Sequence, residues 1–226
     1  RADVFALFGP DKDMQLYDRG IRRRLAPMLG GDQRRIRLAY VLQFSLPGTP
    51  VIRYGEEIGM GDDLSLEQRD SIRTPMQWAD APQAGFTTAA EAVRPVIAKG
   101  DQAYPVVNVR DQQRDPGSLL SWFERTLRVL RETPEFGTGG CTVLDTKSDQ
   151  VLALRYDSPT GSVLAVLNLG TEPSTVDLSP QPGPRGGFGA DLLADRDYPA
   201  VPADLSAVEL DGSGYRWIQL HRNPAP

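Results

Sequence analysis

Apolar residues recur at two different periods along this chain, and the change of period divides it. In DQRRIRLAYVLQFSL, which begins at Asp32, Ile36, Tyr40 and Phe44 fall four apart, with Ala39 and Leu42 beside them. That spacing gathers them on one face of a helix, and Asp32 can cap its N-terminus. LPGTP breaks the helix, because Gly48 stands between Pro47 and Pro50. The following run, VIRYG, is short and apolar and ends at Gly55, which predicts a strand over Thr49 to Gly55. From Gly55 to about Asp115 neither period is sustained, and so long an irregular connection is expected to be functional or to contain short elements. DPGSLLSWFERTLRVLRE restores the helical period with a stripe of Leu119, Phe123, Leu127 and Leu130. Asp115 can cap this helix, Pro116 suits its first turn and Pro134 closes it.

From Cys141 onward the apolar runs shorten and turn residues separate them, as CTVLD, VLALRYD, SVLAVLNLG, STVDLS, ADLLAD, SAVEL and YRWIQL. Leu152, Leu154 and Tyr156 alternate as in a half-buried strand, whereas SVLAVLNL is apolar on both faces and reads as a central strand. The Pro/Gly cluster from Pro180 to Gly189 reads as a loop between strands. Short strands at this spacing predict an antiparallel β-sandwich. The fold class is therefore α/β followed by all-β.

Composition narrows the function. Apolar residues at 40% and charged residues at 24% are ordinary globular usage. Lys plus Arg number 25 against 30 Asp plus Glu, a net charge of −5, so nothing general attracts a phosphate backbone and no nucleic-acid partner is expected. Cys141 is the sole cysteine and cannot form an internal disulfide, which fits a reducing cytoplasm. No run approaches the roughly 18 apolar residues of a membrane span, and no membrane partner is expected. The N-terminus lacks the layout of a signal peptide, and a start at Arg1 without methionine reads as a fragment.

Most catalytic constellations fail on residue type. Asp11, Asp13, Gln15 and Tyr17 alternate like the start of a calcium loop, but Leu16 stands where the sharp turn needs glycine and Arg22 where the last acid belongs. The only histidine, His221, lies near the C-terminus and reads as a solvated terminal residue, so neither a zinc site nor a Ser/His/Asp triad is expected. GFGAD around Phe188 lacks the spacing of a phosphate loop, and no cofactor is expected. Carboxylates remain, since Glu56 and Glu57 follow VIRYG and precede Asp62 and Asp63. They read either as acids at the C-terminal end of a barrel strand, where active sites lie, or as a solvated acidic loop. RTPMQW, Arg73 to Trp78, sets a guanidinium, an amide and an indole close together, which suits sugar hydroxyls and pyranose faces. Alternatively, Arg73 neutralises a neighbouring acid such as Asp70.

SLPGTPVIRYGEEIGMGDD, Ser45 to Asp63, followed by RTPMQW and by AGF at Ala84 to Phe86, resembles the last barrel strand and following loop of the α-amylase superfamily (glycoside hydrolase family 13), in its oligo-1,6-glucosidase and trehalose synthase branch. QLYDRGIRRRLAPML, Gln15 to Leu29, is most similar to trehalose synthases, which isomerise maltose to trehalose. The resemblance implies that residues 1–137 are the C-terminal portion of a catalytic (β/α)8 TIM barrel and 138–226 its C-terminal β-sandwich domain. It implies a retaining mechanism, with one carboxylate as nucleophile and a second as acid and base. The family sets those groups on earlier strands, in motifs such as Asn-His-Asp that this chain lacks. No residue here is therefore expected to be catalytic, and the parent's earlier barrel portion and a small α-glucoside such as maltose or trehalose are the expected partners. Arg73 matches the arginine that the branch places beside its sugar subsites, and is the expected substrate-binding residue. Glu56, Glu57, Gln77 and Trp78 match positions of the active-site loop and read more as scaffolding than as ligands. Arg53 replaces an expected aromatic or aliphatic residue, and Asp70-Ser71-Ile72 departs from the usual residues before the motif arginine.

The isolated chain is thus expected to be inactive, with the Thr49 to Gly55 strand lacking a parallel neighbour on at least one side. An α-glucosidase or oligo-1,6-glucosidase-like hydrolase, or a non-catalytic amylase-like module that binds carbohydrate or a partner, is the alternative.

Overall fold

The computed structural model describes residues 1–17, 19–159, 161–179 and 189–220, so His221 and most of the Pro/Gly cluster lie outside the described residues. The chain forms two units, Arg1–Ile36 with Val51–Arg125 and Arg37–Pro50 with Thr126–Pro226. Helix α1 (Ala2–Phe8) leads to the two-residue strands β1 (Gln15–Leu16) and β2 (Gly20–Ile21), then to the short helix α2 (Leu25–Met28). Helix α3 (Gln33–Ser45) starts where its cap was expected, Asp32 Oδ1 accepting from the Arg34 and Arg35 backbone N–H groups at 2.9 and 3.4 Å. Its stripe of Ile36, Tyr40 and Phe44 is buried.

Thr49 to Gly55 is not a strand. A parallel strand exists only by pairing with neighbours, and none of the described strands pairs with these residues. The long stretch after Gly55 holds the short elements anticipated for it, with 3₁₀ turns at Glu56–Ile58, Gln68–Ile72 and Pro82–Gly85 and a one-turn helix α4 (Val109–Gln112). A small core of Ile58, Met60 and Met76, with Val107, Val109 and Leu120 against it, lies beneath them.

Two buried arginines, Arg22 and Arg24, and the partly buried Arg23 brace this irregular segment. Arg22 donates to the Leu64 and Gln68 carbonyls at 3.0 and 3.2 Å and also to that of Leu66. Arg23 pairs with Asp62 at 2.9 Å, and Arg24 donates to the Tyr54 carbonyl at 2.9 Å and to Glu56 at 3.1 Å. Backbone carbonyls that no sheet or helix satisfies need other donors when buried, and the guanidinium fork supplies several at once.

Helix α5 (Leu119–Glu132) begins later than expected. Ser118 caps it, its Oγ accepting from Ser121 N at 3.1 Å, while Asp115 closes the preceding turn through Gly117 N at 2.8 Å. Leu119, Trp122, Phe123 and Thr126 are buried, but Leu127 is 39% exposed. Eight residues of α-helix overshoot two full turns by about 80°, which rotates Leu127 off the face that Leu119 occupies. A short helix α6 (Glu135–Thr138) follows.

All seven expected β runs form strands, β3 (Gly140–Leu144), β4 (Val151–Asp157), β5 (Ser162–Asn168), β6 (Ser174–Val176), β7 (Gly189–Ala194), β8 (Val208–Leu210) and β9 (Tyr215–Leu220). Five make an antiparallel sheet in the order β3-β4-β5-β9-β7, and β6 pairs with β8. β5 is central and buried throughout, as its apolar faces require. Ala153, Leu164, Val166 and Ile218 of the larger sheet share one cluster with Val176, Val208 and Leu210 of the smaller.

β4 is not half-buried; residues on both its faces are covered. One face joins that cluster. On the other, Tyr156 O–H donates to the Ser45 carbonyl at 2.6 Å, Trp217 Nε1 donates to Ser45 Oγ at 2.7 Å, and Phe136 packs on both rings at 5.0 and 4.6 Å. The end of α3 and the start of α6 thus cover a face that alternation leaves open to solvent. Burial and its contact with the Cys141 thiol raise the Tyr156 phenol well above its ordinary pKa, so it stays protonated. No described helix is long and apolar enough to cross a membrane.

Candidate functional site

GEEIG, Gly55 to Gly59, is a single 3₁₀ turn with a left-handed residue at each end, φ 83° at Gly55 and 72° at Gly59. A side chain at Gly55 would also place its Cβ 2.3 Å from Met60 Sδ. Gly55→Ala is expected to lower stability by at least about 1–2 kcal/mol from the left-handed backbone alone; a denaturation midpoint equal to the parent's would show that the turn has another way to form.

The turn separates its acids. Glu56 pairs with Arg24, Asp62 receives Arg23 and the Arg24 backbone N–H at 2.9 Å, and Asp63 accepts from Ser65 N at 3.0 Å. Glu57 is left to line a cavity. Arg24 and Arg53 also lie over the Tyr54 ring, 5.2 and 5.5 Å from its centroid. Burial, and then the charge of Arg24, hold Arg53 below the usual guanidinium range.

RTPMQW leaves the 3₁₀ turn at Gln68–Ile72, and Tyr54 O–H donates to the Thr74 carbonyl at 2.8 Å, tying the two motifs together. Thr74, Met76 and Gln77 are buried, while Arg73 and Trp78 at the ends are exposed. The Gln77 amide donates to the carbonyls of Gln102, at 3.1 Å, and Val107, so it fastens the next loop. The Asp70 carboxylate pairs with Arg94 Nε at 3.1 Å, whereas the Arg73 guanidinium has no hydrogen-bond or ion-pair partner among the described residues.

These segments enclose a cavity of about 520 Å³ whose lining includes Tyr54, Glu57, Arg73, Thr74, Trp78, Phe86 and Arg94. Its size is that of a small-molecule site. The structure therefore brings together Arg73, Glu57 and Trp78 of the expected set, and leaves Glu56 and Gln77 outside as bracing. Thr74 Oγ1 is buried without a hydrogen-bond partner among the described residues. Sequence reasoning gave no role to Tyr54, Val93 and Arg94. Phe86 was visible as the end of AGF, but Val93 and Arg94 lie where no period marks them.

A guanidinium, a carboxylate and aromatic faces can bind hydroxyls and stack on sugar rings. They cannot perform retaining glycosyl transfer alone, since that takes two carboxyl groups flanking one bond and Glu57 is the one carboxylate among the described lining residues.

Comparison with known proteins supplies the family. The alpha-amylase catalytic domain model matches residues 21–139, just over half of the chain. A trehalose synthase of Thermus thermophilus is 36% identical over 204 residues, covering 89% of this chain and 21% of the relative. A trehalose synthase/amylase of Mycolicibacterium smegmatis is 35% identical over 234 residues, covering 99% and 39%. The chain thus spans between about a fifth and two fifths of the length of these relatives. Among solved structures, a trehalose-6-phosphate hydrolase of Bacillus licheniformis superposes with a TM-score of 0.72 over 88% of this chain and 41% of its own, at 20% identity, a likeness of fold. Motifs, fold and family model agree, and the chain belongs to the alpha-amylase family.

Proposed function

We propose that this chain supplies one wall of the sugar site in an enzyme that acts on short α-glucosides by a retaining mechanism, of the trehalose synthase kind, isomerising maltose to trehalose. Residues 1–137 would be the last part of its barrel and 138–226 its β-sandwich. The observation that carries this reading is the convergence of Arg73, Glu57 and Trp78 on one cavity, with the Arg73 guanidinium left for a ligand. Arg73 would donate to sugar hydroxyls, Glu57 would accept from them, and Trp78 would offer a stacking face. The nucleophile and the acid/base would come from barrel strands outside these residues. Isomerisation rather than hydrolysis requires that water be kept from the glycosyl-enzyme.

The purified 226-residue chain is expected to turn over neither maltose nor trehalose. The full-length polypeptide that carries it, incubated with maltose and followed by proton NMR, should accumulate trehalose. Free glucose without trehalose would assign it to the hydrolases instead, and no change in the maltose would favour a non-catalytic binding role.

A further inference from the structure

Glu57 and Arg73 stand on separate segments that none of the described strands joins. Glu57 belongs to the 3₁₀ turn after Gly55, and Arg73 follows the turn at Gln68–Ile72. Beneath them Ile58, Met60 and Met76 pack together, but apolar packing is non-directional and sets no exact spacing. A hydrogen bond does. Tyr54 precedes that first turn, lines the same cavity, and donates its O–H to the Thr74 carbonyl at 2.8 Å. Pro75 leaves the Thr74–Pro75 peptide without an N–H, so the carbonyl is the only group by which hydrogen bonding can hold it. A residue before proline is also confined to extended backbone, so a shift at Thr74 passes to Arg73 rather than being absorbed. On the other side of Arg73, its own N–H donates to the Asp70 carbonyl at 2.9 Å. Thr74 is buried, and without the phenol its carbonyl has to move to find another donor. Tyr54 is itself held. Its carbonyl accepts from the buried Arg24, which also pairs with Glu56, and the guanidinium groups of Arg24 and Arg53 lie over its ring. One residue therefore links the turn that aims Glu57 to the peptide that follows Arg73.

We propose that Tyr54 is a positioning residue, whose hydroxyl sets the place of the Arg73 guanidinium relative to Glu57 across the sugar site. The inference rests on the α-glucoside reading above and adds how that site holds its donor. Tyr54 acts through Arg73 and not on the sugar. Its hydroxyl is spent on the Thr74 carbonyl, and what it contributes to turnover is the alignment of a group one residue away.

A double-mutant cycle in the full-length polypeptide, with maltose as substrate, reads this directly. Tyr54→Phe keeps the ring beneath the two guanidinium groups and removes only the hydroxyl. It is expected to lower kcat/KM by about tenfold, the scale of one lost hydrogen bond. In the Arg73→Ala background the same change should lower kcat/KM by less than about twofold, because no guanidinium is left to misplace. The shift in thermal midpoint that Tyr54→Phe causes should be equal in the two backgrounds, since the tether to Thr74 does not need the Arg73 side chain. Activity of Tyr54→Phe within about twofold of the unsubstituted polypeptide overturns the positioning role. A tenfold loss that recurs unchanged in the Arg73→Ala background overturns it too, and makes Tyr54 a direct sugar contact or a purely structural residue. Either result leaves the α-glucoside reading standing. An unsubstituted polypeptide that leaves maltose unchanged overturns that reading and this inference with it.

Discussion

Trp217→Ala is expected to destabilise the sheet-containing unit by about 3–5 kcal/mol, the usual range for deleting a large aromatic from a core. Trp217 is fully buried on β9, opposite Ala165 of β5 and Leu193 of β7, with its ring 4.6 Å from that of Phe136. Alanine there leaves a void over the face of a sheet whose strands hydrogen bonds hold at fixed spacing, beside Phe136 and Ser45, so the site collapses little. It also removes the indole N–H from Ser45 Oγ, which still donates to the Val41 carbonyl at 2.7 Å. Trp217→Phe keeps one aromatic ring but loses part of the indole's volume together with the donor, so its cost should exceed the roughly 1 kcal/mol of the hydrogen bond alone and stay below that of alanine. Urea unfolding followed by far-UV circular dichroism reads both variants. If alanine costs less than about 1 kcal/mol, below even the weakest core truncations of this kind, the packing ascribed to Trp217 is wrong.

Arg73→Ala in the full-length polypeptide should lower kcat/KM for maltose by about 10²–10³-fold, the scale seen when a charged or aligned donor at a transition state is lost. Its thermal midpoint should not move, because the guanidinium contacts no partner among the described residues. Arg73→Lys keeps the charge but not the planar fork, and should fall between the two. A loss of activity that tracks a loss of stability would make Arg73 structural. A kcat/KM within a few-fold of the parent would remove it from the site.

Why Glu57 faces the cavity and Glu56 does not follows from the turn. Both acids are adjacent in GEEIG, and nothing in their chemistry separates them. A 3₁₀ turn advances about 120° per residue, so neighbouring side chains leave it in different directions, and Arg24 is positioned to meet only the first. That choice needs the fold of Arg22 to Arg24 against a loop some thirty to forty residues on, which no local spacing encodes. The same holds for Val93 and Arg94, whose place at the cavity depends on Gln83 and Asp70.

Local periodicity by itself determined α3, the seven β runs and the central position of β5, because a strand or helix with a continuous apolar face has few other ways to bury it. Motif chemistry likewise singled out Arg73 as the expected sugar contact, and placed Glu56, Glu57, Gln77 and Trp78 on the same loop without separating those that face the cavity from those that brace it. Tertiary structure decided the rest. Whether VIRYG becomes a strand depends on neighbours that must supply its hydrogen bonds. The covering of the second face of β4 depends on Ser45 and Phe136, which alternation within the strand cannot reveal. Arg155 and Arg216, charged residues inside apolar runs, are buried because Asp157 and Asp191 meet them at 2.9 and 2.8 Å. Pairing of this kind is a property of two segments brought together, and a single segment carries only half of it.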